Sequence, residues 1–266
     1  MTYEHLQLER QGHVAWVWLN RPAASNAYSD SMVRDLPAVI EELDRDRGVR
    51  AVVLAARGKV FCAGGDVKAM RDQTGMFAGG PNELRERYME GIQRIPLAIS
   101  RLRKPLVAMV QGAAVGAGCD LVAMCDLRIG SAEASFAETF AKVGLVPGDG
   151  GAWFLIRAVG HARATEMFFT GKRYGAEEAS RMGLLHEVVS SDQLVRRTTE
   201  LADQLAALPP IALQLTKKAL AHAYESGVGA HLDVVATFQG ITQRSSDHFE
   251  ALSQMSEKRG GTFRHE

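Results

Sequence analysis

Residues Leu106–Leu121 read LVAMVQGAAVGAGCDL, and the change of character along this stretch decides the fold. Leu106–Val110 is a short, wholly apolar run behind Lys104-Pro105, the pattern of a buried strand. Gly112–Gly118 is rich in glycine and alanine, and Cys119-Asp120-Leu121 begins a helical pattern. A strand that feeds a small-residue turn and then a helix is the building step of an α/β protein. The same turn has a chemical consequence. Small residues let a ligand approach backbone N–H groups, and a helix N-terminus adds positive potential.

Working toward the N-terminus, Phe61-Cys62-Ala63-Gly64-Gly65-Asp66 is a second glycine-rich turn, soon after the apolar strand Val49–Ala55. Two N–H groups from two such turns, aimed at one oxygen, would stabilise an enolate oxyanion. Earlier still, His13–Leu19 reads as a strand closed by Arg21-Pro22. Ser29 or Asp30 caps a helix to about Arg47, apolar at Met32, Val33, Leu36, Val39, Ile40 and Leu43, with Pro37 as a potential kink. Lys68–Gly91 is the least regular stretch, interrupted by Gly75, Gly79-Gly80 and Pro81, and is expected to be a functional or disordered loop. A helical segment over Leu84–Leu102 follows, and beyond the central turn Cys125–Ile129 is a further strand. From Ser191 the pattern is helical, with breaks expected at Pro209-Pro210, Gly227–Gly229 and Gly240. The chain therefore divides into a core over residues 1–190 and a helical packing or oligomerisation region over 191–266.

Lys plus Arg and Asp plus Glu both total 31 in the 266 residues, which argues against a nucleic-acid binder. Ala51–Ala56 and Leu106–Val110 are too short to span a membrane, and the polar start (MTYEHLQLERQG) does not read as a signal peptide. Cys62, Cys119 and Cys125 read as buried thiols of a reducing compartment, the cytoplasm. The eight histidines show no ligand spacing, so no metal site is expected, and no nucleophile elbow occurs. Gly112–Gly118 has poor spacing for a dinucleotide fingerprint.

The two turns belong to a longer series. Leu19-Asn20-Arg21-Pro22 with Asn26-Ala27, Phe61–Asp66, Lys104-Pro105, Gly112–Leu121, Gly144-Leu145-Val146-Pro147 with Gly150-Gly151, Leu184–Val189, and Glu257-Lys258-Arg259 with Phe263 occur in one order. In that order the chain resembles the crotonase superfamily, the enoyl-CoA hydratase/isomerase family, from end to end. The resemblance implies a spiral of strand-strand-helix units with a helical C-terminal trimerisation region, assembled as a homotrimer or a hexamer built as a dimer of trimers. It implies an acyl-CoA thioester substrate, with coenzyme A arriving as part of that substrate and no permanently bound cofactor. Carried over by position, the oxyanion-hole amides fall at Gly65 and Ala117, where the family commonly has glycine at the second. Contacts to coenzyme A fall near Ala24, Ser25, Ala63, Asp66 and Val67. Phe263, together with Lys258 of a neighbouring subunit, falls at the nucleotide end.

The acids depart from the pattern. Hydratases of the family use two glutamates, which fall here at Asp120 and Phe140, and phenylalanine cannot transfer a proton. Asp149, in Pro147-Gly148-Asp149-Gly150-Gly151, is the candidate second acid, or the cap of a following helix, or both. Asp120 among apolar neighbours requires a hydrogen-bonding network or a function. Asp126 reads as structural, and Glu138 as a pocket-rim or structural residue whose side chain points elsewhere if its segment is helical. Phe136, Phe140 and Trp153 are expected to wall a pocket for a bulky or aromatic acyl group, with core packing as the alternative. The implied activity is hydration or double-bond isomerisation of an enoyl-CoA. A ring-isomerising or hydrolytic enzyme on a cyclic or aromatic-derived acyl-CoA, and a catalytically weak acyl-CoA-binding protein, remain as alternatives.

Overall fold

The computed structural model of the chain describes residues 3–257, 261, 263 and 264. In chain order the elements are β1 (Leu6–Gln11), β2 (Val14–Leu19), α1 (Asp30–Arg45), β3 (Ala51–Ala56), α2 (Val67–Arg71), α3 (Pro81–Arg87), α4 (Arg94–Arg101), β4 (Leu106–Val110), β5 (Ala113–Val115) and α5 (Ala117–Ala123). They continue with β6 (Leu127–Ser131), β7 (Ser135–Ala137), α6 (Gly151–Val159), α7 (His161–Thr170), β8 (Tyr174–Gly175), α8 (Ala176–Arg181) and β9 (Glu187–Val189). Four helices end the chain: α9 (Ser191–Ala206), α10 (Pro210–Ala223), α11 (Val228–Thr242) and α12 (Ser246–Glu257).

A six-stranded sheet has the order β1-β2-β3-β4-β6-β9, parallel except for the β1–β2 hairpin, and a three-stranded sheet has the order β5-β7-β8. Two successive turns of the chain lay one strand in the large sheet and one in the small sheet before a helix follows. The pair β4–β5 is followed by α5, and β6–β7 by α6. This is the strand-strand-helix spiral expected from the resemblance.

Both faces of the large sheet are covered, which is why β2, β3 and β4 are apolar at every position. Val14, Trp16, Trp18, Ala51, Val53, Ala55, Val107 and Met109 face one cluster, and their alternating neighbours face the other. The first cluster is closed by α9, whose Leu194, Thr198, Ala202 and Ala206 recur every fourth residue and are all buried. Small side chains at three of these four positions bring α9 close to the strands. The helix following residue 190 is therefore packed into the sheet core, while α10, α11 and α12 carry most of their surface outward.

Three local expectations change. Gly240 lies inside α11, and the chain breaks instead at 243–245. The expected Leu84–Leu102 helix is split by a π-helical turn at Tyr88–Ile92, where the Gln93 N–H donates to Tyr88 O at 2.9 Å. The Lys68–Gly91 stretch is ordered into α2, a 3-10 turn at Gly75–Phe77 and α3. Asp66 caps α2 through the Ala69 N–H at 3.1 Å, and Glu83 accepts from the Gly80 N–H at 2.7 Å at the start of α3. α1 runs through Pro37 without ending, capped as expected by Ser29, which accepts from the Met32 N–H at 3.1 Å. No helix among the described residues is long and apolar enough to cross a membrane.

Candidate active site

The two glycine-rich turns lie side by side because backbone hydrogen bonds join them. Phe61 N–H donates to Ala113 O at 3.0 Å, and Val115 N–H donates to Cys62 O at 2.9 Å. A β-carbon at Gly112 would overlap Lys59 O, and one at Gly118 would overlap Cys62 O, so glycine permits this approach. Gly64 and Gly116 hold φ of +83° and +53°, the left-handed region in which a side chain is strained. Tyr28 ties the turns together. Its N–H donates to Gly64 O at 2.8 Å, and its hydroxyl donates to Ala117 O at 3.2 Å. The outcome is that Gly65 and Ala117 line one cavity, and neither N–H donates a hydrogen bond among the described residues. Ala117 opens α5, whose first N–H groups have no partner within the helix.

The inner cavity is small, about 70 Å³, and lies beside a chamber of about 430 Å³ below α2 and α3. Val67, Met70, Phe77, Tyr88, Val143 and Leu145 border both. The stretch expected to be an irregular loop therefore supplies pocket walls from ordered helices. Of the expected aromatic walls, Phe140 lines the cavity and packs against Phe168 with ring centroids 6.3 Å apart. Phe136 does not line it: on β7 its ring is fully buried in the core. Trp153 does not line it either. It is 43 % exposed on α6, in separate grooves, with the Arg157 guanidinium 3.5 Å from its ring centroid.

Asp120, Glu138 and Asp149 form a buried group of three acids. Only Asp149 borders the cavity with Gly65 and Ala117. Asp120, expected to transfer protons directly, stands behind it on α5, because the start of α6 covers the carboxyl: a β-carbon at Gly151 would overlap Asp120 Cγ and both oxygens. Asp149 Oδ1 accepts a 3.4 Å hydrogen bond from the Gly151 N–H, so it also contacts the first turn of α6. Among the described residues no backbone N–H, lysine, arginine or histidine donates to the oxygens of Asp120 or Glu138, or to Oδ2 of Asp149; the three acids and the Cys119 thiol face one another. Buried carboxyls without cations hold their protons. Burial, reinforced by Glu138 and Asp149, keeps Asp120 well above the usual carboxylate range. Burial pushes Glu138 up to about 8, with the charge of Asp149 adding and contacts from Cys119 and Asp120 opposing. Burial also raises Asp149, but proton donation from Asp120 and the Gly151 N–H pull it back. Asp149 is therefore the member positioned to carry the charge.

Glu138, expected as a pocket-rim or structural residue, does not line the cavity but is buried within the acid group. It lies outside any helix, directly after β7, where Phe136, Ala137 and Glu138 are all buried, so no period of two marks it. Tyr28 and Met70 were missed, since their roles come from contacts between distant turns.

Among the residues expected at coenzyme A, Ala24, Ser25 and Ala63 are adjacent, with Ala63 N–H donating to Ser25 O at 3.0 Å. Val67 is 64 % exposed at the mouth. The Asp66 side chain is taken up by the α2 cap and by Arg21 at 3.0 Å, which hold its carboxyl below the usual range. Phe263 is not brought to this site. Its carbonyl accepts from Arg50 at 2.6 Å, at the opposite end of the six-residue β3. Lys258 lies outside the described residues.

The sequence profile of the enoyl-CoA hydratase/isomerase family matches residues 9–266. A protein of Rhizobium meliloti (strain 1021), named a probable enoyl-CoA hydratase, is 35 % identical over 265 residues, covering 100 % of both chains. The 1,2-epoxyphenylacetyl-CoA isomerase of Escherichia coli (strain K12) is 32 % identical over 246 residues, covering 92 % of both chains. The crystal structure of an enoyl-CoA hydratase from Bacillus anthracis superposes with a TM-score of 0.92 at 28 % identity, covering 99 % of this chain and 100 % of that one.

Proposed function

The chain belongs to the enoyl-CoA hydratase/isomerase family and is an enzyme of that family, and from this premise we propose that it moves a double bond in an enoyl-CoA thioester. One observation carries the reading: the N–H groups of Gly65 and Ala117, which donate to no described residue, and the carboxyl of Asp149 belong to residues of one cavity, where Asp149 is the sole acid among the described residues. The thioester oxygen takes the two N–H groups. Asp149 removes a proton from C2 of a 3-enoyl thioester, and the electron pair spreads into a dienolate whose charge rests on that oxygen. Asp149 then returns the proton to C4, leaving the 2-enoyl product. Nothing is consumed, and no resident cofactor is required. Coenzyme A enters as part of the substrate along Ala24, Ser25, Ala63 and Val67.

Phe140 at the cavity favours this one-base reading over hydration, which needs a second group to deliver a proton. Hydration is the second reading, supported by the hydratase names among the relatives, with Asp149 activating water. Ring isomerisation of an aromatic-derived thioester is a third, supported by likeness to the epoxyphenylacetyl-CoA isomerase. A panel of 2-enoyl, 3-enoyl and 1,2-epoxyphenylacetyl thioesters in deuterium oxide, followed by mass and absorbance, separates them. Conversion of 3-enoyl to 2-enoyl without added water supports isomerisation; water addition overturns it in favour of hydration.

We also propose a homotrimer or a dimer of trimers in the cytoplasm, where three buried free thiols persist reduced. Its contact surface is the apolar side of the last helices, where Leu220, Tyr224, Val228, Leu232, Ile241 and Phe249 are all exposed. Sedimentation should give a multiple of three 28.9 kDa chains; a monomer overturns this assembly.

A further inference from the structure

Glu138 is a fully buried acid outside the cavity that the mechanism above does not use. It follows β7 directly, and the groups facing it are Cys119 and Asp120 of α5 and Asp149 of the loop before α6. No lysine, arginine or histidine pairs with any of the three acids among the described residues. The nearest lysine along the chain, Lys142, is directed to Gly171 O at 2.6 Å. Three carboxyls packed together without a cation cannot all be ionised, because like charges at such range in a low-dielectric interior repel strongly. The placement of the three is informative. Asp149 meets the cavity, while Asp120 and Glu138, which face each other and Asp149, do not line it.

We propose that Glu138 is a positioning residue acting through Asp120, the two sharing protons behind the cavity so that the single negative charge of the group rests on Asp149. The inference rests on the reading of Asp149 as the proton-transferring acid and assigns what sustains that acid's charge. Asp120 offers its proton to a neighbouring carboxyl, and the Cys119 thiol also faces Glu138. Ionisation of Glu138 would put a second charge beside the developing enolate and oppose it. The enzyme should therefore lose rate as Glu138 gives up its proton, near pH 8.

The test compares the intact wild-type protein with Glu138→Gln, Glu138→Asp and Asp149→Asn, reading the pH profile of kcat, KM, and the infrared band of protonated carboxyls at neutral pH. Glu138→Gln should lower kcat about tenfold with KM within about twofold, a transition-state effect. It should also lose one protonated-carboxyl band and the alkaline inflection. Glu138→Asp should restore the band and the inflection. An inflection and band that survive in Glu138→Gln overturn the inference. Should that variant not fold, Asp120→Asn must erase the same inflection, and its persistence overturns the inference equally. Asp149→Asn separates the two claims. Full turnover in that variant, with the Glu138 effects intact, sinks the role of Asp149 and leaves the shared proton standing.

Discussion

The carboxyl of Asp120 rests directly against the main chain of Gly151, so that a β-carbon at position 151 would occupy the space of Cγ and both oxygens. The helices α5 and α6 are thereby locked around an acid, and the glycine is what makes room for it.

Gly151→Ala should displace Asp120 and cost about 1–3 kcal/mol, the usual range for overpacking a filled interior. Turnover should fall with it, because Asp149 loses its proton donor. Urea unfolding midpoints and kcat measured on the same preparation check this. An unchanged midpoint would mean that the two helices separate freely.

Neighbouring glycines of the first turn should respond differently. At Gly64 a β-carbon would fall 2.5 Å from Val115 O at a φ of +83°, so Gly64→Ala should destabilise the fold by more than 1 kcal/mol. At Gly65 the obstacle is the flexible end of Met70. Gly65→Ala should leave thermal stability nearly unchanged while lowering kcat, because the shifted Met70 narrows the cavity.

The pH dependence of stability follows from the sign of the shifts. Asp120, Glu138 and Asp149 are acids held above their unfolded values, so the folded state binds more protons than the unfolded one. Their favourable contribution is full below about pH 4 and is lost as pH rises, for Glu138 through about 8. Wild-type stability should decline between about pH 5 and 8, and Glu138→Gln should flatten that decline. Melting temperatures across this window decide it. Parallel curves for the two proteins would contradict the protonated state of Glu138.

The three expected aromatic walls now separate by experiment. Phe136→Ala should cost about 3–5 kcal/mol of stability, as for a buried core ring. Phe140→Ala should keep the fold and raise KM about tenfold, through loss of a ring in the cavity wall. Trp153→Ala should leave KM within about twofold, since its ring lies outside the cavity. Steady-state kinetics with one thioester, beside unfolding curves, test all three.

These residues also show where sequence reading succeeds and where it stops. The β2, β3 and β4 runs were legible because strands covered on both faces are apolar throughout, and the two glycine turns because close backbone contact demands small residues. Periodicity reports that a side chain is buried but not against which neighbour, so Phe136 and Phe140 looked alike. The depth of Asp120 behind Asp149 depends on a contact with Gly151, thirty-one residues away in sequence. Glu138 was expected to point elsewhere only if its segment were helical; the segment is not helical, and the side chain is buried. Caps and a π-helical turn gave order to Lys68–Gly91, and such local hydrogen bonds leave only a faint trace beside Gly75, Gly79 and Pro81.

The most direct measurement is exchange of the C2 protons of a saturated acyl-CoA in deuterium oxide, followed by mass for wild type and Asp149→Asn, with binding measured by calorimetry. The enolate account predicts exchange in wild type and a loss of about 10²–10⁴-fold in Asp149→Asn at unchanged thioester affinity. Exchange at the wild-type rate in Asp149→Asn would contradict it.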